Sequence, residues 1–332
     1  MTTYEELLEV SPTLEIQSAF GKGYSKIHGY NDGYRRYKKI MVSVSGGSDS
    51  DIVVDYCERI GYPDGALVYV FFDTGMEFEA TKHHLDYLES KYNITIHCEK
   101  AVIPVPLGCR KYGVPFLSKQ VSEWISRLQR HNFTWVDEPF DVLYEKFPNC
   151  KAALKWWCNE WGENSKNNIN RNKWLKEFMI ANPPDFQISS GCCTGAKKRT
   201  AKKLTKIYEP DLDIQGVRKS EGGARSQAYQ SCFDNVFGGC DRYRPIFWFT
   251  NDDKNEYDKF FGVTHSDCYT KYGLKRTGCA CCPFGRDFEF ELEVAEKYEP
   301  KLHKAALKVF GKSYEYTRKY REFQRMMKNE KV

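Results

Sequence analysis

Two clusters of residues in this 332-residue chain carry the means to do chemistry. The first is Ser45-Gly46-Gly47-Ser48-Asp49-Ser50. Two adjacent glycines let backbone amides approach an anion with no Cβ in the way. If a helix begins here, its first amides add a partial positive charge. The hydroxyls of Ser45, Ser48 and Ser50 can donate to phosphate oxygens. A plain turn has a similar composition, because Gly and Ser suit turns everywhere, so the flanking elements must decide. GxGxxG and the GxxxxGK pattern followed by Ser or Thr are both absent, which removes those nucleotide folds.

The second cluster is sulfur. Cys192-Cys193 and Cys279-Ala280-Cys281-Cys282 stand out among 13 cysteines. Cys279 and Cys282 form C-x-x-C, a spacing that lets two thiolates face one centre. Two such pairs commonly hold zinc. Adjacent cysteines suit one zinc ion less well, because neighbouring side chains diverge, whereas a cubane offers separate irons as targets. The metal set is therefore Cys192, Cys193, Cys279 and Cys282, holding a 4Fe–4S cluster or, as the alternative, zinc. Cys281 reads as packed. Cys57, Cys98, Cys109, Cys150, Cys158, Cys232, Cys240 and Cys268 lack ligand spacing and read mostly as core residues.

Charge supplies the rest. In GVRKSEGGARS (216–226), Arg218 and Arg225 can clamp phosphate or sulfate bidentately, with Glu221 orienting them. Residues 1–150 carry 16 basic and 21 acidic side chains, whereas 151–230 carry 15 and 8. Within that basic segment Lys197, Lys198, Arg199, Lys202 and Lys203 are dense enough to meet a phosphate or nucleic-acid backbone, though not to read bases.

The elements that must position these groups follow from periodicity. KKIMVSVSGGSDSDIVVDYCERIGY (38–62) reads as strand, glycine turn, helix. GALVYVFFDTG (65–75) is an apolar strand ending at Asp73, a helix follows at about 78–92, and NITIHCE (93–99) is a third strand. Alternating strands and helices predict a doubly wound, mainly parallel α/β sheet. Ligands of such sheets sit at the C-terminal strand ends, where the serine–glycine turn and Asp73 both fall. FQISSGCC (186–193) and LDIQG (212–216) read as further strands. Residues 118–131 and about 287–328 read as helices. With 41% hydrophobic residues the chain can bury a large core. It shows no apolar run of the roughly 20 residues that span a bilayer and no apolar leader, so a cytoplasmic protein with reduced thiols is expected.

S-G-G-S-D-S after a strand resembles the PP-loop of the ATP pyrophosphatase superfamily, whose pattern is SGGxDS. FFDTGMEFEAT (71–81) resembles the second motif of the phosphoadenosine phosphosulfate reductase family, with Ala80 standing where a Glu often precedes the Thr. GVRKSE resembles that family's GVRxxES segment, with Gly222 in place of Ser. The resemblance runs from about 39 to 285. It implies an adenine nucleotide alpha-hydrolase-like fold over 39–285, with a helical insertion at about 112–181, a helical extension at 1–38 and a helical segment at 286–332. It implies ATP with magnesium on Ser45, Gly46, Gly47, Ser48, Asp49 and Ser50, on Asp73, Thr74 and Gly75, and on Arg218, Glu221 and Arg225, with Asp49 and Arg218 as the catalytic pair. The CC…CxxC pattern likewise resembles the iron–sulfur ligand set of adenylyl-sulfate reductases and related PP-loop enzymes.

Three functions are then open. The first is ATP-dependent adenylation for sulfur transfer, with tRNA or DNA as acceptor and a sulfur-donor protein as partner. The second is a sulfonucleotide reductase. Its relatives have a degenerate loop and a cysteine nucleophile near the C-terminus; here the loop is intact and YREFQRMMKNEKV has no cysteine. The third is a non-catalytic nucleotide- or nucleic-acid-binding module with a structural metal.

Overall fold

The computed structural model describes residues 4–31, 34–62, 65–222 and 228–329. Helices α1 (Tyr4–Val10) and α2 (Leu14–Ile27) come first, the latter started by Thr13, whose side chain accepts from the Ile16 amide. A short antiparallel pair, β1 (Tyr30–Asn31) and β2 (Tyr34–Arg35), follows. The chain then alternates: β3 (Ile40–Val44), α3 (Ser48–Ile60), β4 (Leu67–Asp73), α4 (Glu79–Tyr92) and β5 (Ile96–Lys100). β6 (Leu212–Gln215), β7 (Phe233–Asp234) and β8 (Asp241–Tyr243) complete a six-stranded sheet. Its order is β5-β4-β3-β6-β8-β7, parallel except for β7 against β8.

Both faces of the sheet are covered, as the alternating side chains of β3 show. Ile40, Val42 and Val44 join the main core with Phe20, Ile52, Val53 and Tyr56. Met41 turns the other way, onto Val70 and Leu204. β3 pairs with β4 on one side and β6 on the other, so the turn after it leaves the sheet where the strand order switches, the position that binds ligands in doubly wound folds.

The chain divides into two compact units, Met1–Val102 with Lys197–Cys279, and Ile103–Ala196 with Ala280–Val332. The first holds the sheet. The second holds α5 (Val105–Tyr112), α6 (Lys119–Arg130), three shorter helices and the long helix Pro300–Asn329. Its core is aromatic: Phe116, Trp156, Trp157, Phe178 and Tyr316 are buried together with Ile125. The strand expected at 186–193 is here a single bridge, Ile188 to Val114. The ladder stops there because the N–H of Phe116, which would extend it, donates to Ser122 Oγ at 2.8 Å instead. Among the described residues no helix is long and apolar enough to cross a membrane.

Candidate functional site

In the first unit, Ser45 to Ser50 join β3 to α3. Gly46 has φ +64° and a Cβ there would meet Thr81 Cγ2 at 2.4 Å, so this position needs glycine for both backbone and space. The loop braces itself: the Ser45 amide donates to Ser50 Oγ at 2.9 Å, and the Gly47 amide reaches Ser45 Oγ at 3.4 Å. Ser50, expected to line an anion site, is buried with its hydroxyl engaged inside the loop. Ser45 is exposed and Gly47, Ser48 and Asp49 are half-buried.

Asp49 and Arg218 are brought together. Arg218 Nε donates to Asp49 Oδ1 at 2.9 Å, and its Nη1 reaches Ser220 Oγ and Asn251 Oδ1 at 3.0 Å and the Thr250 carbonyl at 3.3 Å. Thr250 caps the helix Asn251–Phe261 in a reciprocal pair with Asp253, which fixes that end of the cradle. The guanidinium is almost wholly buried, and its Nη2 makes no hydrogen bond among the described residues. Gly216, which opens the GVRKSE motif, makes this approach feasible. A Cβ on it would meet the Asp49 carbonyl oxygen at 3.0 Å and the Ser50 nitrogen at 3.1 Å. Glu221 is exposed in the short turn Lys219–Glu221. Arg225 lies outside the described residues.

At the end of β4, Asp73 Oδ1 accepts from the Gly75 amide at 2.9 Å. The turn is organised by a residue not singled out in the sequence, Glu77. It accepts from the Thr74 amide at 3.0 Å, from the Thr74 hydroxyl, and from the Met76 amide at 3.1 Å. Burial raises the Glu77 pKa, against the bonds from Thr74. Ala80 is buried at the start of α4, a place where a glutamate would have to bury its carboxylate.

Beneath the loop lies a charged network that sequence patterning did not reveal. His265 Nδ1 is 2.8 Å from Asp51 Oδ2, its Nε2 is 2.9 Å from Asp258 Oδ2, and Lys254 Nζ is 3.1 Å from the same Asp258 oxygen. His84 Nε2 approaches Asp51 at 3.1 Å without hydrogen-bond geometry. Burial alone would lower the His265 pKa, but the bonds to Asp258 and Asp51 outweigh it and raise it to about 9. Asp51 is the residue after the loop, so its anchoring fixes the first turn of α3.

Tyr269 and Thr277 complete the surroundings. Tyr269 Oη accepts from the Ser48 amide at 3.1 Å and from the Thr277 amide at 3.2 Å, and lies 3.3 Å from Thr277 Oγ1. Two residues further on, Cys279 Sγ is 3.5 Å from Thr74 Oγ1. The loop, the Asp73 turn and Cys279 are thus tied into one unit.

In the second unit, the pair Cys192-Cys193 packs against α5. A Cβ on Gly108 would stand 2.9 Å from Cys192 Cα, and one on Gly191 would stand 2.7 Å from Tyr112 Cβ. That close approach brings Cys109 onto Cys192. A hydrogen bond with Cys109 pushes the Cys192 thiol well above its usual range; Cys193 opposes the shift, while burial and Cys282 add to it. Cys109 was expected to be an ordinary core residue. It is buried, but against the thiol pair, because its spacing partner lies 83 residues away in sequence. Of the other cysteines assigned to the core, Cys57, Cys150 and Cys268 are buried, Cys158, Cys232 and Cys240 are half-buried, and Cys98 is exposed. Cys281 sits at φ +55°. Its amide donates to Glu291 Oε2 at 2.7 Å, and its carbonyl accepts from Tyr314 at 2.5 Å. Burial, with the Glu291 carboxylate, pushes its thiol to about 12, which makes it a poor ligand or nucleophile. Among the described residues no group of three or more His, Cys, Asp or Glu is gathered as a ligand set for one metal ion. A donor set of thiols alone, two of them adjacent, has the chemistry of an iron–sulfur site.

Of the basic cluster, Lys198, Arg199, Lys202 and Lys203 are exposed and Lys197 half-buried. From Arg199 onward they lie on the helix Arg199–Tyr208, which is pinned to the sheet by buried Thr200 and Leu204.

A family model, the phosphoadenosine phosphosulfate reductase domain, matches residues 39–116. No curated protein matches the chain. Among solved structures it is similar to a phosphoadenylyl-sulfate reductase from Candida auris in a phosphate complex, at 13% identity and TM-score 0.41, over 83% of this chain and 93% of that one. It is also similar to the U34-tRNA thiolase NcsA from Methanococcus maripaludis with its 4Fe–4S cluster, at 13% identity and TM-score 0.39, over 93% and 79%. A third likeness is the NH3-dependent NAD synthetase from Campylobacter jejuni in complex with nitrate, at 12% identity and TM-score 0.36, over 95% and 96%. The glycine loop, the Asp73 turn and the first three parallel strands all fall inside residues 39–116, the span similar to the phosphoadenosine phosphosulfate reductase domain.

Proposed function

We propose that this chain is an ATP-dependent PP-loop enzyme that adenylates an acceptor and then directs sulfur onto it. The observation that carries the reading is the cradle itself: a glycine loop at the switch point of a parallel sheet, with half-buried Asp49 paired to buried Arg218 at its side. The loop amides and the Ser45 and Ser48 hydroxyls hold the β- and γ-phosphates. Asp49 would hold the magnesium, and Arg218, locked by Asn251 and Thr250, would present its remaining N–H groups to the α-phosphate. Asp73, Thr74 and Gly75 take the adenosine side, and Glu221 and Arg225 serve the anion site. An acceptor oxygen attacks the α-phosphorus, the bond to the bridging oxygen breaks, and pyrophosphate leaves. The terminal sulfur of a donor protein's persulfide then displaces AMP, its proton going to solvent, and a second thiol of the donor attacks the donor-side sulfur of the resulting disulfide, closing a donor disulfide and releasing the thiolated acceptor.

A 4Fe–4S cluster on Cys192, Cys193, Cys279 and Cys282 would, when bound, supply iron with affinity for sulfur; zinc on the same thiols would be structural. The exposed basic side chains Lys198, Arg199, Lys202 and Lys203, with Lys197, suit a polyanionic acceptor, tRNA or DNA. The family match favours a second reading, reduction of a sulfonucleotide.

Incubating the full chain, purified without oxygen, with ATP labelled at the α-phosphate separates these readings. Labelled AMP that appears only with one nucleic acid supports thiolation. Sulfite released from an adenylyl sulfate in the presence of a thiol supports reduction, and no turnover with any acceptor supports a binding module. A brown protein with about four iron and four sulfide per chain would support the cluster; zinc without iron would overturn it.

A further inference from the structure

We propose that Tyr269 and Thr277 are phosphate ligands of the nucleotide site, closing the open side of the glycine loop with two hydroxyls. The inference rests on the reading that a nucleotide occupies this loop, and goes beyond it by adding a wall from a segment more than 200 residues away in sequence.

The geometry begins at Gly47. A methyl group built on it would stand 3.0 Å from Thr277 Oγ1, 3.3 Å from Ser45 Oγ and 3.4 Å from Tyr269 Oη. Three hydroxyl oxygens therefore converge beside Gly47, on the side of the loop where it carries no side chain. Glycine keeps that side open. The Ser48 amide, the first of α3, is the donor an anion at this helix end would seek, and here it is held by Tyr269 Oη at 3.1 Å. A phenol that accepts from two amides still has its own proton to give, and Thr277 Oγ1 stands 3.3 Å away. An incoming phosphate oxygen can accept the Tyr269 proton in place of Thr277 Oγ1, and a second proton from Thr277 itself, while Tyr269 Oη keeps the Ser48 amide.

Both residues are also positioned rather than loosely hung. Tyr269 lies on the short helix Asp267–Thr270, with its ring 5.7 Å from His265, and His265 is bonded to Asp51 in the first turn of α3. The hydroxyl is thereby indexed to the same turn as the loop amides. Both side chains are half-buried, so solvent and ligand can reach them.

The test titrates the full chain calorimetrically with magnesium ATP, with magnesium pyrophosphate and with adenosine. Tyr269→Phe and Thr277→Val each remove one hydrogen bond to a charged oxygen, and each should weaken ATP and pyrophosphate by about tenfold while adenosine is unchanged. Thr277→Ser should restore the Thr277→Val loss. A purely bracing role would instead lower the melting midpoint and weaken all three ligands together, and that pattern overturns the proposal. In the unsubstituted chain, pyrophosphate should slow amide exchange in 266–278 as well as in 45–50. Protection confined to 45–50 overturns it even if a variant fails to fold. If wild type binds ATP and both variants bind it equally, the nucleotide reading stands and this inference falls. If wild type binds neither ATP nor pyrophosphate, both fall.

Discussion

The glycine loop and the cysteine cluster are built in opposite ways. Six consecutive residues make the loop, its hydroxyls brace its own amides, and one glycine with φ +64° sets its shape. The thiols come from separate stretches: Cys109 on α5, Cys192 and Cys193 on the turn packed against it, and Cys282 further on. A contiguous anion cradle needs only local rules, whereas a dispersed ligand set exists only once helices have packed. The proposed anion site of the first unit thus lies in a turn, and the thiol contacts of the second depend on packing, where Gly108 and Gly191 admit the close approach.

The sharpest way to break the comparison is to damage each region alone. Asp49→Ala leaves the Arg218 guanidinium buried without its carboxylate, which should cost about 3–5 kcal/mol in denaturant unfolding and abolish ATP binding. Trp157→Ala empties part of the aromatic core of the second unit and should cost a similar 3–5 kcal/mol, yet leave ATP affinity within about twofold. Equal loss of affinity in both would show that the loop is not the self-contained device described here.

Next is pH. His265 has its pKa raised to about 9, so its charged form is the stabilised one. Its contribution, about 3 kcal/mol from the size of that shift, is fully present below its unfolded pKa of about 6.5 and is lost as pH rises through about 9. His265→Ala should therefore lower stability at pH 6 by that amount and match wild type above pH 9.5. Melting curves across that range check it, and a constant difference at every pH would place the role in packing alone.

Metal content sharpens the sulfur side. Cys192→Ala should lose most of the iron of anaerobically purified protein, whereas Cys281→Ala should keep it, because Cys281 is held by Glu291 and Tyr314. The smallest expected effect is at the Asp73 turn. Glu77→Gln keeps one acceptor oxygen and should cost about 1–2 kcal/mol, with ATP affinity falling a fewfold.

These particulars show what sequence makes legible. β3, β4 and α3 follow from apolar runs punctuated by glycine, and the 212–216 strand reading matches β6 (Leu212–Gln215). The third strand was read at 93–99 and lies at Ile96–Lys100, because Asn93 takes a left-handed cap on α4. The 186–193 strand shrinks to one bridge because Phe116 gives its N–H to Ser122 rather than to the ladder. In the site, SGGSDS and Arg218 were visible as motif residues. Glu77 and Gly216 lay inside the FFDTGMEFEAT and GVRKSE motifs and Thr277 inside YGLKRTGCACCPFG (272–285), which also resembles the family, but with no role assigned. Tyr269 and the His265 network gave no sign, since each acts through a contact no spacing rule encodes. Thr277 carried a further signal, a hydroxyl two residues before Cys279.

The central claim, that the glycine loop grips the phosphates of ATP, is tested most directly by a crystal structure of the full chain with magnesium and a non-cleavable α,β-methylene ATP. Phosphate oxygens are expected within hydrogen-bond distance of the Gly47 and Ser48 amides and the Ser45 hydroxyl. A nucleotide seated elsewhere, with that loop bearing only water, would contradict it.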